Sequence, residues 1–491
     1  MKKLLALIMS LLMVLFVLSA CADNKDTDPE VSTSEQSETQ PSTEGPRVDA
    51  GGYLLDDVPD GLNFNETVTI LYWSDVEMPE FFVEEMMGDN VDDAIYNRNL
   101  DTETRLGIKL EWVGEKGNYD NRANFVNKAQ NSVNSGGEYD IFAGYSMTGA
   151  TLAVNGLAQD LNTLDYLDFS KPWWPESLIG QATMNGKLYF ASGDISTNML
   201  HMMYAVFFNK QMLTDFDLEN PYELVQNGKW TYTKMFEMAT DIYMSSGSPT
   251  PTIDDRYGFA TSAIHFDAFF TGAGFTTIEK DANGRLMISP LFNTERTVKL
   301  LEDICDFMWN SGDAYYGATG DIFRRGNTLF TLDRSYMALL RKDEITFDYG
   351  ILPVPKFEEA QEKYVTCLGF PYTMYSISIA SKIPTATAAT LEVLCSEAYR
   401  KTTPMLFENT MKYRYTSDNE SAQMYDIIRE SVSIDIGRIF SMELQEQSWR
   451  IFRTACQNNA ASSWSSSYKS GAKIIDAALR KINDSLDKLD G

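Results

Sequence analysis

The feature that most constrains this chain is a run of alternating periodicities between residues 67 and 143. Thr67-Val68-Thr69-Ile70-Leu71-Tyr72-Trp73 is β-branched and aromatic, the composition of a buried strand. Ala94 to Leu106 follows with Ile95, Leu100 and Leu106 as inward positions of a helix, and Gly107 stands where a helix ends left-handed. Ile108 to Val113 alternates as a second strand, Arg122 to Val133 reads as a second helix, and Tyr139 to Ala143 as a third strand. Strand, helix, strand, helix, strand predicts a parallel sheet with right-handed crossovers. Ligands of such sheets lie beyond the carboxyl ends of the strands, which here carry Trp73-Ser74-Asp75 and Gly144-Tyr145-Ser146.

The remainder continues the α/β theme. Asn185-Gly186 predicts a tight turn entering a strand at Lys187 to Phe190. Tyr204 to Lys210 is another strand, and Trp230-Thr231 precedes a helix carrying Met235, Met238 and Ala239. Thr276 to Ile288 reads as a hairpin around Asn283-Gly284. Val298 to Met308 is an amphipathic helix with Leu301, Ile304, Cys305 and Met308 on one stripe. Gly350 to Pro355 is a short strand ending in prolines, Tyr375 to Ala380 alternates as a strand, and the rest to Leu489 is mostly helical.

The amino-terminal end is of another kind. Met1-Lys2-Lys3 precedes an almost unbroken apolar run from Leu4 to Leu18, the pattern of a secretory signal. Leu18-Ser19-Ala20-Cys21 resembles the lipobox of bacterial lipoproteins. By that resemblance residues 1–20 are a signal peptide and Cys21 is the lipidated first residue of the mature chain. Two acyl chains give stable anchoring where one does not. Residues 21–59 then supply a tether rich in Ser, Thr, Glu and Pro at its start, with too little apolar surface to offset the entropy of ordering. The expected location is the outer, extracellular or periplasmic, face of the cell membrane.

Roughly 430 residues remain, enough for about two to three domains. The net charge of −29, from 70 acidic against 41 basic residues, argues against nucleic acid as a partner. Beyond Cys21 the cysteines are Cys305, Cys367, Cys395 and Cys456, without CxxC spacing. Isolated buried thiols and two disulfides both fit them. With only His201 and His265 in the chain, neither a metal nor a cofactor is expected. Ser466-Ser467-Tyr468-Lys469 and Ser417-Asp418-Asn419 imitate penicillin-binding-protein motifs, but in reversed order.

The order of landmarks resembles the sugar-binding family of bacterial extracellular solute-binding proteins of ABC transporters, which includes maltose-binding protein. It runs from Asn97-Arg98-Asn99 and Leu106-Gly107-Ile108 through Leu157-Ala158-Gln159-Asp160-Leu161 and Asn185-Gly186-Lys187-Leu188-Tyr189. It continues through Phe207-Phe208-Asn209-Lys210, Tyr257-Gly258-Phe259, Gly350 to Pro355 and Ser378 to Lys382. The resemblance implies a two-lobed, type II periplasmic-binding-protein fold with hinge strands between the lobes. Phe207 to Lys210 would be the first crossover and Pro371 to Ile377 the second, with a third return near Asn409. The N-lobe would then be 60–205 plus 374–409, and the C-lobe 206–373 plus 410–491.

By the same resemblance the chain is a monomeric receptor, not an enzyme. It would capture a carbohydrate, an oligosaccharide by preference, and deliver it to ABC permease subunits. Sugar clefts combine flat aromatic rings with carboxylates and arginine. The candidates are Trp73, Asp75 and Tyr145 at N-lobe strand ends, and Trp173 and Trp174 after a Lys-Pro break. From the C-lobe come Phe266, Asp267, Phe269, Asp333, Arg334 and Trp464. A surface glycoside hydrolase is the alternative, since aromatic clefts with paired carboxylates serve both. A third reading keeps the fold and changes the ligand to a peptide or polyamine.

Overall fold

A computed structural model describes residues 47–340, 343–414, 416 and 418–489. The secretory signal, Cys21, the tether up to residue 46 and Ser417 lie outside the described residues. Among the described residues no helix is long and apolar enough to cross a membrane.

Two sheets organise the body. The first is built from β1 (Glu66–Trp73), β2 (Ile108–Glu115) and β3 (Ile141–Tyr145). β1 pairs in parallel with both β2 and β3. The helices Asn90–Leu106 and Arg122–Asn134 make the two crossovers. The first helix starts where the Asp89 carboxylate accepts from the amides of Val91 and Asp92. It ends at Gly107, whose φ of 59° is the left-handed cap. β3 lies two residues later than its sequence suggests. Asp140 is withdrawn from it, because its carboxylate accepts from the Thr69 amide and the Ser381 hydroxyl.

The second sheet holds β4 (Tyr204–Asn209), β5 (Tyr257–Thr261), β8 (Ala314–Tyr316), β9 (Thr328–Arg334) and β10 (Tyr349–Pro353) in the order β10-β4-β9-β5-β8. β5, β8 and β9 are parallel, and β4 runs antiparallel to β9 and β10. The expected hairpin stands apart as β6 (Ile278–Lys280) and β7 (Leu286–Ile288), with Gly284 at φ 77° in its turn. β11 (Thr373–Ile377) returns to the first sheet antiparallel to β3. The chain therefore leaves one sheet before Tyr204 and re-enters it at Thr373, which makes two lobes joined by crossing segments.

Asn185 and Gly186 both have positive φ and close a two-residue turn between Met184 and Lys187. The strand expected after it shrinks to a single bridge, Ala191 with Tyr375. Asn409 sits inside a π-helical stretch, Pro404–Arg414, which continues the helix Pro384–Glu397 through the π-helical turn Ala398–Thr402. Pro404 has no amide hydrogen to donate, which breaks the regular ladder there. The next helix, Asn419–Glu430, packs on β10. Cys305, Cys367, Cys395 and Cys456 are free and buried.

Candidate functional site

The carboxyl ends of the parallel strands of both sheets converge on one region. β1 delivers Trp73, β3 delivers Tyr145 and β9 delivers Asp333 and Arg334. Trp73 is fully buried, donates its indole N–H to Thr373 Oγ1 at 2.7 Å and meets Tyr145 edge-on at 5.3 Å. Tyr145 faces four charged groups, Glu77, Arg334, Arg122 and Arg438, and burial pushes its phenol up. Arg334 crosses between the lobes. Its Nη1 lies 3.5 Å from the carboxylate of Glu77 in the loop after β1. Its Nη2 donates to Tyr336 Oη at 3.0 Å, and its guanidinium stacks over that ring at 4.5 Å. Its buried Nε has no partner.

Beside Arg334 is a cavity of about 270 Å³ formed by the loops after β5, β8 and β9. Asp333 lines it and is fully engaged. Its carboxylate accepts from Thr319 Oγ1 at 2.6 Å and from the Arg334 amide at 2.7 Å, and lies 3.3 Å from His265 Nε2. Burial, above all, lowers the His265 pKa, so the ring is neutral near pH 7. The Arg334 guanidinium and the Tyr336 phenol thus line this space beside the engaged Asp333 carboxylate, a polar wall that a polyhydroxylated ligand can meet with hydrogen bonds.

The structure brings Tyr145 and Arg334 together, with Asp333 beside Arg334 and Trp73 buried behind Tyr145, and gives several other candidates different work. Asp75 accepts from the amides of Gly117 and Asn118 and from Asn121 Nδ2, so it orders the 117–121 loop instead of facing a ligand. Trp173 and Trp174 are buried and both donate to the Glu392 carboxylate, at 3.1 and 3.0 Å. Burial pushes Glu392 up to about 8 against the pull of these donors. Phe269 is packed among Phe236 and Phe259 in the second lobe. Trp464 is buried with its N–H on Asn293 Oδ1 at 2.7 Å. These four aromatics serve the interior because burying large rings stabilises each lobe.

Phe266 stacks on Tyr316 at the end of β8, 6.1 Å apart and 10° from parallel. Asp267 is buried between Arg438 and Arg453, and these guanidinia hold its carboxyl down despite burial. Its place is therefore to fix Arg438, which in turn faces Tyr145. Sequence reasoning missed Glu77, Tyr336, His265, Arg122 and Arg438. Only the short distance of Glu77 from Trp73, and of Tyr336 from Arg334, carried any signal.

No protein-family model matches the sequence, and no curated protein matches it. Solved structures do match the fold. The ABC substrate-binding protein Lmo0181 from Listeria monocytogenes, in complex with cycloalternan, aligns with a TM-score of 0.52 at 13% identity, covering 86% of this chain and 99% of that one. A cyclo/maltodextrin-binding protein complexed with maltotetraose gives 0.54 at 13%, covering 86% and 97%. UgpB from Mycobacterium tuberculosis, in complex with glycerophosphocholine, gives 0.53 at 12%, covering 79% and 96%. The chain has the two-lobed α/β fold of these binding proteins.

Proposed function

We propose that the protein is a membrane-anchored extracellular receptor that captures a carbohydrate between its lobes and delivers it to an ABC importer. Its lobes are 60–205 plus 374–409 and 206–373 plus 410–491, and Cys21 carries the anchor. The observation that supports this most is the meeting of Glu77, in the loop after β1, and Tyr145 of β3 with Arg334 from the other sheet. A ligand that contacts both sets is bound better when the lobes are together, and so shifts the hinge equilibrium. Several proteins of this fold hold maltodextrins or their cyclic relatives, whereas UgpB holds a glycerophosphodiester. Asp333 and Asp321 line the same cavity as Arg334 and offset its charge, which favours hydroxyls over an anionic headgroup.

The test is thermal melting of the protein with maltotriose, a cyclic maltodextrin and glycerophosphocholine. A ligand at about 100 times its dissociation constant adds roughly 2.7 kcal/mol. A shift with a maltodextrin recovered intact supports the reading. Cleavage of the sugar, or a shift with glycerophosphocholine alone, rejects it.

A further inference from the structure

A second and larger cavity, about 370 Å³, lies away from the strand ends, along the flank of the crossing segments. Trp173, Met199, Met203 and Leu368 give it an apolar wall. Its polar pole is Asp194, which follows directly on Gly193 in the first crossing region. Both contacts made by the Asp194 carboxylate fall on Oδ1, from Thr403 Oγ1 at 3.0 Å and from Arg429 Nη2 at a long 3.5 Å. Among the described residues no hydrogen bond falls on Oδ2, and burial holds the acid up to about 6. Arg429 makes no closer ion pair and rests its guanidinium over the Phe407 ring at 4.7 Å. Glu176 and Glu430 also line the cavity, so carboxylates outnumber the single cation.

We infer that this cavity is a second ligand site, taking a primary ammonium compound with an apolar body. The ammonium sits on the open Asp194 oxygen, beside the weak Arg429 contact on Oδ1, and the body lies against Met199 and Met203. An ammonium there supplies the compensation that a buried carboxylate needs, and excess acid at the rim attracts cations over anions. The walls come from the first lobe (Trp173, Asp194), from both crossing segments (Met203, Leu368) and from the helix that packs on β10 (Arg429). Occupancy therefore depends on how the lobes are arranged and is linked to ligand binding at the strand ends. That linkage, but not the binding itself, rests on the receptor reading. By reciprocity, the amine changes the sugar affinity by the same factor as the sugar changes the amine's.

The experiment is calorimetric titration of the protein with 2-phenylethylamine, repeated on Asp194→Asn and on Arg334→Ala. Binding is expected in the natural protein, weakened at least about tenfold in Asp194→Asn, as loss of a charge-assisted contact requires. Arg334→Ala, which touches this cavity only through the inter-lobe contact with Glu77, should weaken it by less than Asp194→Asn does. Should Asp194→Asn not fold, Val432→Phe, which fills the cavity from its wall, gives the same reading. Absence of binding overturns the inference. So does equal binding by Asp194→Asn, or a greater loss in Arg334→Ala than in Asp194→Asn, which would put the amine at the strand ends. Amine binding without any response to sugars would keep this site and reject the receptor function.

Discussion

Glu443 offers a pH-dependent test of how the lobes meet. It lies in the turns between the helices Ile436–Ile439 and Gln447–Gln457, against the helix Thr148–Val154 of the first lobe. Thr151 Oγ1 donates to its Oε1, while its buried Oε2 has no partner. Burial pushes the acid from 4.5 up to about 7, with the Thr151 hydrogen bond pulling weakly the other way. Between these values the folded protein holds a proton that the unfolded chain has released. Glu443 thus contributes stability below pH 4.5, which is lost as the pH rises through 7. At about 1.36 kcal/mol per pH unit the full loss is about 3.4 kcal/mol, an upper figure because the side chain is not wholly shut off from water. Glu443→Gln removes the titration and keeps the shape. Its amide nitrogen replaces an oxygen that already lacks a partner, so its fixed cost resembles that of the protonated acid. Urea unfolding at pH 5, 6, 7 and 8 should therefore show the variant gaining on the natural protein by about 2–3 kcal/mol from the lowest to the highest pH. Shifted acids elsewhere, such as Asp194 and Glu392, are common to both proteins and cancel in the difference. Parallel stability curves would refute the burial argument.

Trp173→Phe and Trp174→Phe each remove an indole donor from Glu392 and should cost about 1.5–3 kcal/mol in urea unfolding, with sugar affinity unchanged by calorimetry. Arg334→Ala should behave in the opposite way, weakening sugar binding at least tenfold (about 1.4 kcal/mol) with a smaller effect on melting. Gly350→Ala should lower the melting temperature markedly. A Cβ there would lie 2.3 Å from both the Phe208 ring and Tyr222 Oη, and neither side chain has room to retreat in the packed second lobe. The four thiols beyond Cys21 should resist a thiol reagent in the native protein and react in denaturant, since burial pushes Cys305, Cys367, Cys395 and Cys456 up.

The first sheet was legible because its signals are local. The β-branched and aromatic run before Trp73, the apolar positions Ile95 and Leu106 and the glycine at 107 each act within one element. Leu100, expected inward, is exposed because Arg98 and Thr102 take the buried face. β9 was harder, although Thr328–Arg334 is now seen to be buried along its whole length. A central strand covered on both faces lacks alternation, and nothing in the run separates it from a buried helical segment. The site was partly legible for a related reason. Residues at the ends of recognised strands, Trp73 and Tyr145, could be placed by topology alone. Glu77, Arg122 and Arg438 reach the site from loops and helices brought near only by tertiary packing. Trp173 and Trp174 misled because a tryptophan with a buried carboxylate partner looks, in sequence, like one offered to a ligand. Glu392, about 220 residues away in the chain, decides between the two.

The central claim is that two lobes close on a sugar held at the facing strand ends. The direct measurement is the distance between spin labels at exposed Leu100 in the first lobe and exposed Met287 on the hairpin, each replaced by cysteine. Cys305, Cys367, Cys395 and Cys456 are buried and will not compete for the label, and Cys21 is replaced by serine for this measurement. The account predicts a shorter, narrower distance distribution on adding the maltodextrin that raises the melting temperature, and no such change in Arg334→Ala. An unchanged distribution with sugar bound would contradict it.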